Sequence, residues 1–271
     1  MTPATVRLFV TPEGEIKWED PMSSQIFDCG KATVQNTDLV EVFDYNTSAD
    51  HLLIIDKSRA FGPGTTPESS GASEIEFLID GEEGDNTLQV WGGDRRDTIV
   101  FGETGIALNR DGDADISQAD YDDFMFLGKR RADFLSGGGG FGTGGPTAAP
   151  VTIYGNSGND DLVGSLGIDR LLGSRGADTM SGGRSGDIIF GNEGADLLLG
   201  RAGGDELDGM GGADRLRGHA GTDDLEGARE PTIASVVAET ITSQHVRRAG
   251  AARPPAACRW AECRPHGESA L

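Results

Sequence analysis

The sequence predicts an all-β protein built as a solenoid of parallel coils, a β-roll or β-helix that is regular in its C-terminal half and degenerate in its N-terminal half. Three observations lead to this prediction. A nine-residue unit repeats eight times without a gap over residues 155–226. Short segments rich in Val, Ile, Leu and Phe fill the first half, and no long helix-period segment appears. Weaker copies of the unit occur before residue 137.

The nine-residue unit has three regular features. Each copy begins with Gly, and the fourth position is Gly in every copy except one, which has Ser185. The sixth position is always Asp, and the eighth is Leu, Ile or Met. The eighth-position residues are Leu162, Leu171, Met180, Ile189, Leu198, Leu207, Leu216 and Leu225.

This spacing favours a turn followed by a short strand. Glycines at positions one and four allow positive φ, so six residues can turn with their carbonyl groups facing inward. In the strand that follows, the eighth side chain points opposite to the seventh and ninth. Two units then complete one flattened coil, and stacked coils form two rows of aspartates. One predicted row is Asp160, Asp178, Asp196 and Asp214, and the other is Asp169, Asp187, Asp205 and Asp223.

The predicted rows bring carboxylates to the strand spacing of about 4.8 Å. At that distance they repel one another by roughly 1 kcal/mol per pair even in water, so a cation is needed between them. Oxygen ligands on flexible loops suit Ca²⁺ better than Mg²⁺ or Zn²⁺. We expect several Ca²⁺ ions, each between unit n and unit n+2. Carbonyl groups of turn residues complete the predicted ligand set, for example those of Gly155, Gly158, Gly173, Gly176, Gly191 and Gly194.

The unit resembles the RTX (repeats-in-toxin) nonapeptide G-G-x-G-x-D-x-U-x. The resemblance is strong over residues 155–226. It is weaker from residue 29 onward, where ATVQNTDLVEVF and GIALNRDGDADI are similar to the β-rich region that precedes the repeats in secreted proteins of this family. It implies a hemolysin-type β-roll, calcium as the ligand, and an extracellular or cell-surface location. The first 18 residues lack a signal peptide's apolar core, so we expect no N-terminal export signal there.

The weaker copies suggest how the chain is organised. GEEGDNTLQ (81–89), GGDRRDTIV (92–100) and GKRRADFLS (128–136) keep an acid or amide in the sixth position, and Asp97 is a weaker candidate ligand among them. The predicted parts are a β-rich region at 1–136, a Gly-rich linker or looped-out insertion at 137–150, the eight-unit array at 151–226, and a tail at 227–271. The tail has no Asp and six Arg, so its composition is also compatible with disorder.

The acidic segment NRDGDADISQAD (109–120) admits two interpretations. As a 12-residue EF-hand-like loop it supplies Asn109, Asp111, Asp113, Asp115 and Asp120 as weaker candidate calcium ligands. Against this, Ala replaces the glycine of the loop's turn, and the preceding GETGIAL is typical of a loop and a strand. The alternative is an acidic coil of the solenoid.

Two apolar spots interrupt the outward-facing positions of the array. Ile188 and Phe190 belong to one unit, and Leu197 and Leu199 to the next, so one spot falls on each face. Two explanations are open. The segment TIASVVAETIT (232–242) could cover them, or they could form a surface for a protein partner or self-association.

Charge and missing motifs limit the function. The formal charge of −22 argues against nucleic acid and for metal cations as partners. No apolar stretch approaches the length of a membrane span, and neither H-E-x-x-H nor G-x-S-x-G occurs. We therefore expect a non-catalytic calcium-binding module. The alternative is a fragment or non-catalytic part of a secreted RTX hydrolase or adhesin.

Overall fold

A computed structural model describes residues 4–37, 39–43, 51–61, 75–80, 85–117, 121–227, 233–235 and 245–248. These residues form strands and loops, without a helix. The strands of the first half are β1 Ala4–Val10, β2 Glu15–Asp20, β3 Gln25–Thr33, β4 Leu39–Phe43, β5 His51–Asp56, β6 Glu76–Asp80, β7 Thr87–Trp91, β8 Thr98–Gly102, β9 Gly105–Ala107, β10 Ile116–Ser117, β11 Asp123–Arg130 and β12 Phe134–Ser136. The second half contains β13 Val151–Ser157, β14 Asp161–Val163, β15 Arg170–Arg175, β16 Thr179–Gly183, β17 Ile188–Gly194, β18 Leu197–Ala202, β19 Glu206–Asp208, β20 Gly211–Gly212, β21 Arg215–Ala220, β22 Asp224–Gly227, β23 Ile233–Ser235 and β24 His245–Arg248.

Two long sheets contain these strands, and successive units of the array alternate between them. The first sheet runs β24-β22-β19-β17-β15-β13-β11-β7-β5-β1-β2-β3, with β20 also paired to β17. The second runs β23-β21-β18-β16-β14-β12-β8-β9-β10-β6-β4. Within the array all pairs are parallel, and Leu171 lies opposite Ile153 on one side and Ile189 on the other, 18 residues away each time. Two nonapeptides therefore complete one coil, and the predicted fold class is confirmed.

The core is a ladder of apolar side chains between the two sheets. All eight eighth-position side chains of the array are fully buried, and each contributes about 2 kcal/mol by leaving water. The same core continues through Leu53, Leu88 and Phe126 in the N-terminal half. The parallel pairs of β5 with β7, β7 with β11 and β11 with β13 join the degenerate coils to the regular ones.

The first three strands differ from the predicted coils. Strand β1 pairs in parallel with β5, but β2 and β3 follow as an antiparallel meander at the end of the first sheet. The rings of Trp18 and Phe27 stack there with centroids 4.1 Å apart. A further weak copy of the unit, YNTSADHLL at 45–53, lies mostly outside the described residues, as do residues 81–84 of the copy at 81–89.

Two segments interrupt the ladder of the second sheet. The hairpin of β9 and β10 inserts between β6 and β8 with antiparallel pairs to β8 and within the hairpin. Residues 137–150 form a loop against this hairpin, in which Glu103 N donates to Gly145 O at 3.0 Å and Thr143 is fully buried. Of the two alternatives for this segment, these contacts favour a looped-out insertion over a flexible linker.

The described parts of the tail continue the solenoid. Strand β23 pairs with β21 and strand β24 with β22, so they add a further coil at the end of the array. The expectation that 232–242 covers the apolar spots is wrong for residues 233–235, because these lie beyond β21. Residues 236–244 lie outside the described part. The described chain contains no helix that is long and apolar enough to cross a membrane.

Candidate metal centre

Each array aspartate lies in the turn before a strand, with its carboxylate buried between coils. All eight are 2% exposed or less. One oxygen, Oδ1, accepts a hydrogen bond from the backbone amide of the residue one coil earlier, for example from Asp160 N to Asp178 Oδ1 at 2.8 Å. This bond is repeated along both edges, so the two predicted rows are present. Asp160, Asp178, Asp196 and Asp214 form one row, and Asp169, Asp187, Asp205 and Asp223 the other.

The second oxygen, Oδ2, is the distinctive feature of the rows. In seven of the eight array aspartates it is buried and has no hydrogen-bond partner. An unsatisfied buried acceptor costs roughly 1–3 kcal/mol, and more when it is charged. The seven are Asp160, Asp178, Asp187, Asp196, Asp205, Asp214 and Asp223.

A small cradle lies beside these oxygens at the first-position glycines. At Gly155, Asp160 Oδ2 and the carbonyl oxygen of Gly173 lie 2.5 and 2.9 Å from the point where a Cβ would stand. Gly191 repeats this arrangement with Asp196 Oδ2 and Gly209 O, again at 2.5 and 2.9 Å. A Cβ at position one would lie too close to both oxygens, so the space beside them stays open only because glycine has no side chain. Carboxylate and carbonyl oxygens in such a cradle fit a hard cation such as Ca²⁺.

The predicted carbonyl donors divide into two groups. The first-position carbonyls of Gly155, Gly173 and Gly191 each lie near the Oδ2 of the preceding coil's aspartate, namely Asp133, Asp160 and Asp178. The fourth-position carbonyls of Gly158, Gly176 and Gly194 instead lie against the fourth-position glycine one coil later, where they occupy the place that a Cβ would take. Gly176 has φ +135° and no room for a Cβ, so this unit requires glycine at position four.

Asp169 departs from the prediction. Its Oδ2 accepts the backbone amide of Ser165 at 2.5 Å, and its Oδ1 accepts the Ser165 hydroxyl and the Val151 amide, both at 2.8 Å. Both oxygens therefore have partners within the protein. The structure places Asp169 in its predicted row but leaves it no oxygen open to a cation.

The sign of φ at position two distinguishes two kinds of aspartate. We call an aspartate open when its Oδ2 has no hydrogen-bond partner and closed when its Oδ2 accepts a hydrogen bond. Where Oδ2 is unpartnered, the second residue of the unit has positive φ, as at Asn156 (70°) and Asn192 (74°). Ser165 is not among the positive-φ residues, and its amide points at Asp169. Position two of the last three units also has positive φ, although its residues are not glycine or asparagine: Arg201, Met210 and His219 have φ of 82°, 54° and 68°.

Burial controls the protonation of these carboxylates. Loss of water, together with repulsion from neighbouring carboxylates and against the lowering effect of the amide bond, raises the pKa of Asp178, Asp196 and Asp205 to about 6 and that of Asp187 to about 7. Burial also raises the pKa of Asp160, Asp169 and Asp214. Carboxyl groups in the metal-free rows therefore hold their protons to a higher pH than free aspartates do, and a positive charge beside them would favour the ionised form.

Two further aspartates extend the first row toward the N-terminus. The amide of Asp97 donates to Asp133 Oδ1 at 2.7 Å, and the amide of Asp133 donates to Asp160 Oδ1 at 2.8 Å. Asp97, a predicted weaker ligand, accepts the Gly93 amide on Oδ2 at 2.7 Å. Asp133 was not predicted as a ligand, although its unit keeps Gly128, Asp133 and Leu135 at positions one, six and eight.

In its described part, residues 109–117, the acidic segment forms the loop and second strand of the β9–β10 hairpin and not an EF-hand. Strand β9 precedes it, and β10 begins at Ile116. Asp115 is 1% exposed and accepts the backbone amide of Leu108, and Asn109 Oδ1 accepts the amide of Asp111 at 2.6 Å. Asp113 packs against Gly142 of the insertion, and Asp120 lies outside the described residues. Calcium binding by this loop stays a prediction.

Within each row, every aspartate is linked by a hydrogen bond to the aspartate of a neighbouring coil. Among the described residues, no group of three or more His, Cys, Asp or Glu side chains converges on one point. A cation here would therefore take its remaining ligands from backbone carbonyls.

The outward-facing apolar residues of the fourth and fifth units are half-buried. They are Ile188, Phe190, Leu197 and Leu199.

Comparison with known proteins gave one finding. The family model of the RTX calcium-binding nonapeptide repeat (4 copies) matches residues 148–171, 154–189, 163–198, 172–207 and 199–229. No curated protein and no solved structure matched the chain. The matched stretch contains all eight array aspartates and stops short of Asp133. Residues 148–229 therefore belong to the family of RTX calcium-binding nonapeptide repeats.

Proposed function

We propose that this protein is a non-catalytic module that binds several Ca²⁺ ions in its aspartate rows and folds into the β-roll as they bind, outside the cell. The observation that carries the proposal is the row of buried, unpartnered Oδ2 oxygens. Seven such atoms occur in the array, each within one coil of another carboxylate. When bound, Ca²⁺ would supply the positively charged partner that these carboxylate oxygens lack.

The chain's own residues explain why folding depends on the ion. Placing Asp178 and Asp196 in adjacent coils removes both carboxylates from water and brings their charges together. Without a cation, each ionised group opposes the closure that buries Leu198 and its neighbours. Because the unfolded chain has no preformed ion site, the free energy of ion binding contributes directly to the stability of the coils.

The proposed ligands are the seven open aspartates together with the first-position carbonyls beside them. Aspartates of successive coils would together hold each ion, so a mid-row aspartate would contribute to the sites on both of its sides. Residues 151–226 form the ion-binding unit of the proposal. Residues 1–136 form its degenerate extension, 137–150 an insertion, and 227–271 a tail that begins with one further coil.

Two features favour a binding module over a fragment of a hydrolase or adhesin. The described parts of 51–136 continue the two sheets of the array, as a degenerate extension should. A buried carboxylate of this part, Asp56, is paired within the protein, since its Oδ2 lies 2.6 Å from Arg7 Nη2. The extracellular location follows from the calcium requirement, because weak modular sites work at the calcium levels found outside cells.

The two apolar spots of the array are a second element of the proposal. We propose Ile188 and Phe190 on one sheet, and Leu197 and Leu199 on the other, as surfaces for a protein partner or for a second copy of the chain. Arg170 lies over the Phe190 ring at 5.9 Å and is the polar neighbour of this surface. Sedimentation of wild type and Phe190→Ser in calcium tests self-association. A common sedimentation coefficient at all concentrations excludes a second copy as the partner.

The test of calcium-dependent folding is a circular dichroism titration of the full chain. Calcium is expected to convert a coil-like spectrum to a β-type spectrum cooperatively, and Mg²⁺ to do so poorly because it demands tighter octahedral geometry. A β-type spectrum that is equal in chelator, Mg²⁺ and Ca²⁺ contradicts the proposal.

A further inference from the structure

The first aspartate row continues beyond the matched repeats and then stops. Asp133 precedes residue 148, where the match begins, and is joined to Asp160 by the same amide-to-Oδ1 bond as the array aspartates. Asp97 precedes it and is joined in the same way. These two positions share a row but differ in how their carboxylates are satisfied.

Asp133 has the features of an open seat. It is 1% exposed, and its Oδ2 is buried without a partner. Its cradle is Gly128, where a Cβ would meet Asp133 Oδ2 and would stand 2.8 Å from Gly155 O. The second residue of the unit, Lys129, has φ 75°, as in the open units of the array.

Asp97 has the features of a closed seat. Its Oδ2 accepts the Gly93 amide at 2.7 Å, and Gly93 is not among the positive-φ residues. Its Oδ1 lies 3.8 Å from the Lys57 ammonium, whose side chain is 12% exposed. The same ammonium donates to the carbonyl oxygens of Thr98 (3.2 Å) and Leu108. One carboxylate and two carbonyls around a cation are the ligand types expected for calcium, with Lys57 in its place.

We propose that a divalent-cation seat, one that binds Ca²⁺, lies between Asp133 and Asp160, and that the Lys57 ammonium ends the row at Asp97 by acting as an internal cation. This inference rests on the proposed calcium-binding function and extends it to residues outside the RTX repeats. The ligands are Asp133 Oδ2 and the Gly155 carbonyl oxygen, with Asp160 as the carboxylate of the next coil. The coils before Asp97 then need no metal.

The test is the number of Ca²⁺ ions bound by the full chain, measured by native mass spectrometry and by calorimetric titration. Asp133→Asn is compared with Asp97→Asn, a matched change one step along the same row. Asp133→Asn is expected to bind one ion fewer than wild type, and Asp97→Asn the same number. An unchanged count for Asp133→Asn overturns the seat, and the loss of one ion in Asp97→Asn overturns the role of Lys57.

Hydrogen exchange of the wild-type chain gives a second result that does not depend on the variants' folding. Calcium is expected to increase amide protection in 123–136, while 87–100 is protected in chelator as well. Equal calcium dependence of the two segments contradicts the inference. A wild-type chain that binds calcium but fails these tests leaves the proposed function standing. A chain that binds no calcium at all removes the proposed function first.

Discussion

Substitution of Asp196 by Asn should have opposite effects on the metal-free and calcium-bound roll. Asp196 lies in the middle of its row, where its Oδ1 accepts the Asp178 amide at 2.8 Å and its own amide donates to Asp214 at 3.0 Å. Asn keeps a carbonyl oxygen for the first bond and loses the negative charge. Its amide nitrogen takes the place of Oδ2, next to the cradle formed by Gly191 and the Gly209 carbonyl.

The magnitude follows from the pKa of Asp196. Burial raises this pKa from 3.8 to about 6, and a rise of roughly two pH units corresponds to about 3 kcal/mol. Because the folded-state pKa exceeds the unfolded one, the carboxyl group stabilises the metal-free fold below pH about 4, and this stabilisation is lost as the pH rises through about 6. At pH 8, Asp196→Asn should therefore stabilise the metal-free roll by up to about 3 kcal/mol.

Calcium binding should change in the other direction. The variant lacks a carboxylate that serves two neighbouring seats, so more calcium is needed to reach the midpoint of folding. The assay is the strength of the β-type circular dichroism signal in chelator between pH 4 and pH 8, which the variant should retain to a higher pH than the wild type, together with a calcium titration by circular dichroism. Asp224→Asn is the control, because Asp224 is exposed and the change in net charge is the same. Destabilisation in chelator at pH 8, or an unchanged calcium midpoint, would refute the reasoning.

Three further predictions concern the same rows. Asp187→Ala should raise the calcium midpoint of folding more than Asp223→Ala at the row's end, and equal midpoints would contradict the bridging scheme. Asp169→Asn should raise the midpoint less than Asp187→Asn, because Ser165 already satisfies Asp169; calorimetry showing equal losses of bound ions argues against this. In chelator, lowering the pH from 8 to 5 should increase the β-type circular dichroism signal, since burial raises the pKa of Asp187 to about 7 and of Asp178 to about 6; the same acidification should weaken calcium binding, and a β signal that falls on acidification contradicts the assignment.

The array could be predicted from the sequence because its geometry is local. Gly at positions one and four, Asp at six and an apolar residue at eight fix the turn, the row and the core within nine residues. The register of Leu171 opposite Ile153 and Ile189 follows from the repeat length alone. The degenerate coils of β5, β7 and β11 were predictable more coarsely, from strand-like segments and weak copies.

The remaining features depend on contacts that are distant in sequence. Asp133 is 27 residues from Asp160, because the insertion at 137–150 breaks the 18-residue spacing, and Arg131 occupies the position of the usual fourth glycine. Lys57 reaches Asp97 from another coil. Asp169 Oδ2 has a partner because the Ser165 amide points at it. The spacing of residues in the repeat does not predict the direction of that amide.

The antiparallel meander of β2 and β3 is another feature that the sequence alone does not predict. The sequence predicts these segments as strands, but strand propensity does not state whether a strand continues the solenoid or folds back at its end. The pairs Trp18 with Phe27 and Lys17 with Asp28 define the actual register. The partners of an end strand are set by tertiary packing.

The most direct test of the account is the compactness of the full chain with and without calcium at pH 8, measured by small-angle X-ray scattering on one sample before and after addition of chelator. The account predicts an elongated, folded particle in calcium and a clearly expanded chain over the array in chelator. An identical compact particle in both conditions, together with no calcium bound by calorimetry, would contradict it.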